Sequence, residues 1–285
     1  MPEQLRTFSD ATAIVTGAAS GIGKAMSIEL ANRGCHMVLA DRQIELAEQL
    51  AKEIVASGGK AYARELDVRE YPSVQAVVAE AIAVTGRIDY LFNNAGIGIA
   101  GPVSDHSIDD WNVTLDVNVR GVTNGIQACY SPMIKQGFGH IVNTASVAGL
   151  LPAASYVSYS ASKFAVAGLS QALRVEAELH GVRVSALCPG AIDTPILTGG
   201  VYGKLPEGVT RESAAKYWVA LKPIAADVFA RRAIDQVAKN VAVIVVPGRW
   251  RLATWLYRFS WSFWYYWSKR DLERGMRILQ QSNDR

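Results

Sequence analysis

The sequence predicts a single doubly wound α/β domain on a seven-stranded parallel sheet, and three observations predict it. Short β-branched runs alternate with longer helical patterns from residue 11 to about residue 247, the rhythm of crossover units that set strands side by side. Several runs are apolar almost throughout, Val243-Ile244-Val245-Val246 most clearly, as expected of strands covered by helices on both faces. A length of 285 residues with 50% hydrophobic content supports one large core and excludes a disordered or collagen-like chain.

The first strand is expected at Ala13 to Thr16, running straight into a glycine turn and a helix from Gly21 to Asn32. Strands at His36 to Ala40, Ala61 to Leu66 and Tyr90 to Phe92 follow, separated by helices at Ile44 to Ala56 and Val74 to Val84. One continuous helical pattern, Asp109 to Lys135, leads to a strand at His140 to Thr144. A helix at Ser158 to Leu179 leads to a strand at Arg183 to Leu187, and a helix at Asp227 to Lys239 to the last, Val243 to Val246. Length separates the two classes, since runs of a few residues suit strands and runs above ten suit helices. The rhythm breaks between Thr198 and Leu221, where Gly199, Gly200, Gly203, Pro206 and Gly208 precede a patch ending at Tyr217-Trp218. Such a segment, just after a strand end, suits a lid over a site and equally a plain surface insertion.

The formal charge of +3 is unevenly placed. Residues 249–285 hold eight Lys/Arg against three Asp/Glu, a balance of +5, which leaves residues 1–248 at −2; five of the seven Trp lie in the same stretch. The pI of about 8.7 thus describes a tail, and the body gives no support to nucleic acid as a partner. Cys35, Cys129 and Cys188 are widely spaced in apolar surroundings and read as reduced core residues. Met1 to Asp10 lacks an apolar signal region, so a cytoplasmic location is expected. His36, His106, His140 and His180 share no ligand spacing and no CxxC occurs, so no metal site is expected.

Between the first strand and helix runs Thr16-Gly17-Ala18-Ala19-Ser20-Gly21-Ile22-Gly23. Glycines at this point let the backbone approach a pyrophosphate whose charge is met by amide N–H groups and the helix N-terminus. The spacing is GxxxGxG, not GxGxxG, and Ala18 stands where a P-loop needs glycine. The second strand ends in Asp41-Arg42. A carboxylate there accepts from both hydroxyls of an adenosine ribose and repels a 2′-phosphate, which favours NAD; Arg42 keeps NADP open. Asp67, ahead of Val68 after the third strand, is placed to accept from an adenine amino group or to cap a helix.

Tyr159 and Lys163 form Tyr-x-x-x-Lys, a spacing that puts both on one helical face. A phenol near its reference pKa of about 10 is a poor base at neutral pH, and a neighbouring ammonium favours its ionisation. Ser146 ends an apolar strand upstream, where its hydroxyl can bond a substrate oxygen. Asn118 lies inside a helical pattern, either as a kink or as a polar partner of Lys163.

With these residues in view, the chain resembles a short-chain dehydrogenase/reductase across about residues 8 to 248. Five motifs stand in the family's order: the Thr16 to Gly23 turn, Asn93-Asn94-Ala95-Gly96, Asn118 in Asp116-Val117-Asn118-Val119, the Ser146, Tyr159 and Lys163 set, and Pro189-Gly190 followed by Thr194. The resemblance implies a Rossmann-type fold and hydride transfer between a nicotinamide dinucleotide and an alcohol or ketone. Tyr159 would be the general acid/base, Lys163 would lower its pKa and bind the nicotinamide ribose, Ser146 would orient the reacting oxygen, and Asn118 would hold a water linking Lys163 to solvent. Gly17, Ser20, Gly21, Ile22, Gly23, Asp41, Arg42, Asp67, Val68, Asn94, Ala95 and Gly96 would bind the cofactor. Pro189 and Gly190 would also bind it, and Ile192 and the Thr194 hydroxyl would sit by its carboxamide.

Expected pocket walls are Ile97, Ile99, Val147 to Pro152, Tyr156, Ile192, Leu197, Tyr217, Trp218 and Leu221, almost all uncharged. They imply a bulky hydrophobic secondary alcohol or ketone, of steroid, terpenoid, aryl or lipid-derived type, unless they are plain core. Residues 1–248 form the catalytic domain and 249–285 an extension that the resemblance does not cover. Trp250 to Trp267 holds ten aromatics in eighteen residues, which suits packing over the site mouth or a partner subunit, or peripheral membrane contact through residues 250–277. Odd-position aromatics from Trp255 to Phe263 allow a strand there, but the pattern from Asp271 to Gln280 favours helix. A homodimer or homotetramer through the helices at Asp109 to Lys135 and Ser158 to Leu179 is also implied. The alternative to an enzyme is a dinucleotide-sensing binding protein that uses the tail to reach a membrane or partner.

Overall fold

The computed structural model describes residues 4–273 apart from 207, 220, 263 and 271. In chain order it contains β1 (Thr12–Thr16), α1 (Gly21–Asn32), β2 (His36–Asp41), α2 (Ile44–Ala56), β3 (Lys60–Glu65), α3 (Tyr71–Thr85) and β4 (Tyr90–Asn93). Then come α4 (Ile108–Leu115), α5 (Gly121–Gln136), β5 (Gly139–Thr144), α6 (Val157–Glu178) and β6 (Val182–Pro189). The chain continues through β7 (Ile192–Asp193), α7 (Arg211–Val219), β8 (Ile224–Ala225), α8 (Ala226–Ala238), β9 (Val243–Val246) and α9 (Arg249–Phe259).

Seven strands form a parallel sheet in the order β3-β2-β1-β4-β5-β6-β9. The winding reverses where β1 pairs with both β2 and β4, and ligands of such sheets bind outside the strand ends at this crevice. Two apolar layers sandwich the sheet. Met26 and Leu30 of α1, Leu50 of α2 and Phe229 of α8 belong to one; Val78 of α3, Cys129 and Met133 of α5 and Val166 of α6 to the other. The central strands β1, β4 and β5 are buried at every residue, which is why their sequences carry little alternation.

Three expectations need correction. The helix read as continuous from Asp109 to Lys135 is two helices joined by a wide π turn, Asp116–Arg120, with Asn118 buried inside it. The turn survives because Asn118 spends both ends of its amide on a neighbouring loop. Helix α3 starts at Tyr71, with Pro72 in its first turn, not at Val74; proline is tolerated there because that N–H has no helical acceptor. The Thr198 to Leu221 segment contributes α7 and is flanked by the unforeseen two-stranded pair β7–β8, in which Ile192 before it meets Ile224 after it. In the tail, α9 is helical and residues 261, 262, 264–270, 272 and 273 are helical beyond Ser260. Most of the Asp271 to Gln280 pattern lies outside the described residues.

Candidate active site

The glycine turn lies at the end of β1 and is laced to the end of β4. Thr16 Oγ accepts from the N–H groups of Asn94 (3.0 Å) and Ala95 (3.1 Å), while Asn94 Nδ2 donates to the carbonyls of Thr16 and Gly17. Gly17 has a φ of +66°, and a Cβ there would stand 2.8 Å from Ala95 Cα; one on Gly23 would stand 1.9 Å from Gly17 O. Only hydrogen fits these positions, so the bare backbone of the turn is available to a pyrophosphate. The residues therefore fit a dinucleotide.

Asp41 closes β2 and is buried. Its Oδ2 accepts from Ala19 N at 2.8 Å and its Oδ1 from Gln43 N at 3.0 Å, so the carboxylate is held facing the glycine turn. Arg42 turns elsewhere: its guanidinium lies 4.7 Å from the ring centre of Tyr202 and 3.6 Å from Asp67 Oδ2. Asp67 does not cap α3, whose N-cap is Glu70. It accepts from Arg69 Nη2 at 2.6 Å and from Arg69 N at 3.1 Å, and Arg69 holds its carboxyl below the usual range.

On the opposite wall, Ser146 caps a short helical turn, Val147–Gly149, by accepting from Ala148 N at 3.1 Å. Tyr159 and Lys163 enter from α6. Burial pushes the Tyr159 phenol above its ordinary range, and a hydrogen bond with Ser146 opposes that shift. Lys163 is buried; its Nζ donates to Thr144 O at 2.8 Å and lies 5.5 Å from the Tyr159 ring centre. Burial pulls its ammonium down to about 8. Asn118 Oδ1 accepts from Ile97 N at 2.9 Å, while its Nδ2 donates to Ile97 O and Ser162 Oγ, each at 3.0 Å. A Cβ on Gly96 would stand 3.2 Å from Asn118 Oδ1 and 3.4 Å from Lys163 Nζ, so the two polar heads converge on that glycine.

A cavity of about 990 Å³ joins these walls. Gly17, Ser20, Gly21, Ile22, Asp41, Arg42, Asp67, Val68, Asn94, Ala95 and Gly96 line one end; Ser146, Tyr159, Lys163, Pro189, Gly190, Ile192 and Thr194 line the other. Gly23 and Asn118 lie behind this lining. Of the expected apolar walls, Ile97, Val147, Ala148, Leu151, Pro152, Tyr156, Ile192, Leu197, Tyr217, Trp218 and Leu221 face the cavity. Ile99 is instead core, 2% exposed and bridged to Lys204, and Leu150 packs on the core layer beside α6.

The geometry agrees with the sequence comparisons. A family model described as "short chain dehydrogenase" matches residues 11–200. The chain belongs to the short-chain dehydrogenase family. This short-chain dehydrogenase is 38% identical over 206 residues to an uncharacterised oxidoreductase of Listeria innocua, covering 72% of this chain and 83% of that one. It is 37% identical over 191 residues to a cyclohexanol dehydrogenase of Acinetobacter sp. strain SE19, covering 67% and 76%. Its fold is similar to a Burkholderia phymatum short-chain dehydrogenase/reductase crystallised with NAD, with a TM-score of 0.80, 29% identity, and 89% and 94% of the two chains covered. Levodione reductase superposes with a TM-score of 0.76 at 28% identity, over 85% and 97%. The short-chain dehydrogenase is accordingly an NAD(P)-dependent oxidoreductase of CH–OH groups.

Two further walls lie largely beyond residue 200, where the family match ends. The segment after Thr194 crosses the cavity through Ile196, Tyr202, Leu205 and Val209 and is pinned by Lys204, whose Nζ is 2.9 Å from Asp110 Oδ2. The tail supplies Trp250, Trp264, Trp267, Ser268 and Leu272. Trp250 packs directly on Gly190, and Trp264 is 5% exposed. Arg249 ties the two walls together by donating to Leu221 O (2.8 Å) and Lys222 O (2.7 Å). The aromatic density of the tail was visible in the sequence; which rings turn inward was not.

Proposed function

We propose that this enzyme prefers NAD and interconverts a bulky hydrophobic secondary alcohol and its ketone. The observation that carries this reading is the meeting of Ser146, Tyr159 and Lys163 on one wall of a large, mainly apolar cavity whose far end carries Asp41. When bound, the nicotinamide accepts or returns the substrate's hydride. The Tyr159 phenol takes the alcohol proton or returns it to the ketone oxygen, and the Ser146 hydroxyl holds that oxygen in place. Lys163, fixed on Thr144 O, puts a cation beside the phenol and favours its ionised form. Asn118 supports this end by fastening the Ile97 loop.

Preference for NAD follows from charge. The Asp41 carboxylate is held by two backbone N–H groups and would repel a 2′-phosphate, while Arg42 is engaged with Asp67 and Tyr202. A cyclohexanol dehydrogenase and a levodione reductase among the similar proteins support cyclic apolar substrates, and the Trp, Tyr, Leu and Ile walls admit larger ones. We further infer a cytoplasmic enzyme with reduced thiols, since Cys35, Cys129 and Cys188 are buried and free. A homo-oligomer through α4 to α6 is supported by the exposed Ile108, Phe164 and Val175.

The test follows nicotinamide absorbance with NAD and NADP across cyclohexanol, aryl alkanols, terpenols and hydroxysteroids. Turnover with NAD that rises with apolar bulk and vanishes in Tyr159→Phe, while NAD still binds, is expected. Turnover retained by Tyr159→Phe, or confined to small polar alcohols, overturns the proposal.

A further inference from the structure

The described residues of the segment 249–273 divide their side chains between two faces. Trp250 and Trp264 turn inward onto Gly190 and the cavity. Leu252, Trp255 and Phe259 recur at intervals of three and four along α9, which is one helical face, and they stand exposed with Trp261, Tyr265 and Tyr266 of the following helical stretch. Each of these six side chains is 54% to 73% exposed. Arg251 and Arg258 are exposed on the same side, four residues before and three after Trp255. No helix among the described residues is long and apolar enough to cross a membrane.

Charge selects the occupant of this face. A second copy seated α9 against α9 would bring arginine against arginine, since α9 contains no carboxylate to meet Arg251 or Arg258. An anionic bilayer surface supplies the opposite charge, and its headgroup zone is where Trp and Tyr rings settle. We propose that the outer face of residues 249–273 docks the enzyme flat onto an anionic lipid surface, its aromatic rings entering the headgroup boundary and its arginines meeting lipid phosphate. The inner face of the same segment roofs the cavity. On the substrate reading above, docking sets the cavity roof beside the phase in which an apolar alcohol accumulates.

The experiment is flotation of the full chain with phosphatidylcholine vesicles, with and without phosphatidylglycerol. One variant carries Trp255→Ser, Phe259→Ser and Trp261→Ser; a second carries Arg251→Glu and Arg258→Glu. None of these residues lines the cavity, so circular dichroism and turnover without vesicles should be unchanged in both. The wild type is expected to float with phosphatidylglycerol vesicles and to detach as salt rises. The aromatic variant should lose at least about tenfold in partitioning, and the charge variant its preference for anionic lipid. Failure of the wild type to float, or equal flotation of all three, overturns the proposal. So does a wild type that ignores vesicles while the aromatic variant alone loses mass by light scattering, because the face then joins copies of the chain. A protein that floats without any turnover refutes the catalytic reading and leaves this one standing.

Discussion

Gly190→Ala tests whether the tail is built into the site. A Cβ at position 190 would stand 2.2 Å from Trp250 Nε1 and 2.3 Å from its Cδ1, where ordinary contact begins at 3.4 Å, so the indole or the backbone must yield by about 1.2 Å. Overpacking of this kind costs about 1–3 kcal/mol. If the indole yields, the roof over the cavity shifts with it, and KM for an apolar alcohol rises. The clash has one main partner, so a double-mutant cycle isolates it. Gly190→Ala should cost about 1–3 kcal/mol in the wild type and less than about 0.5 kcal/mol in a Trp250→Ala background. Urea unfolding of the four proteins measures the cycle, and steady-state KM values for NAD and for the alcohol report on the site. An equal cost in both backgrounds, or a rise in the KM for NAD alone, would refute the seat of Trp250 on Gly190.

Asp41→Ala removes a charged acceptor; NAD should bind about ten- to a hundredfold more weakly, and the NADP-to-NAD affinity ratio should rise, both read by titration calorimetry. An unchanged ratio would refute the role given to the carboxylate. His140 lies buried in β5 with Nε2 2.9 Å from Ser185 Oγ, and burial pulls its pKa down to about 3. The unfolded chain takes up that proton near pH 6.5, so this contribution is whole above about 6.5. It drains away as pH falls toward about 3, by at most about 1.4 kcal/mol per pH unit. Urea titrations of His140→Asn at stepped acid pH should show a shallower loss than wild type, whatever the substitution costs at neutral pH. Asn118→Ala strands the Ile97 N–H and carbonyl; a loss of about 3 kcal/mol or more in urea unfolding is expected, with kcat falling at unchanged NAD affinity.

Periodicity exposed the large sheet because its central strands are largely apolar runs in a regular series. The Thr16 to Gly23, Asn93 to Gly96, Ser146 and Pro189-Gly190 motifs stand at or just after strand ends, while Asn118 and the Tyr159–Lys163 pair lie in helical segments. The features that escaped are those set by contacts remote in sequence. The pair Ile192–Asp193 with Ile224–Ala225 is too short to show any period. The π turn leaves the pattern from Asp109 to Lys135 looking helical throughout; Asn118 marked a kink or a polar contact there, but its partner, the Ile97 backbone, lies 21 residues away. Ile99 had the composition of a pocket wall, yet its pairing with Lys204 draws it into the core. Trp264 follows an extended break at Ser260 that separates α9 from the helical stretch beyond, and neither that break nor the seat of Trp250 on Gly190 carries a local sequence signal.

Arg249 fastens the end of the segment that crosses the cavity to the start of the tail. The two covers are therefore joined through one guanidinium, so that a displacement of either pulls on the contacts of the other. Arg249→Ala should uncouple them, and product release, followed by stopped-flow fluorescence, is expected to quicken.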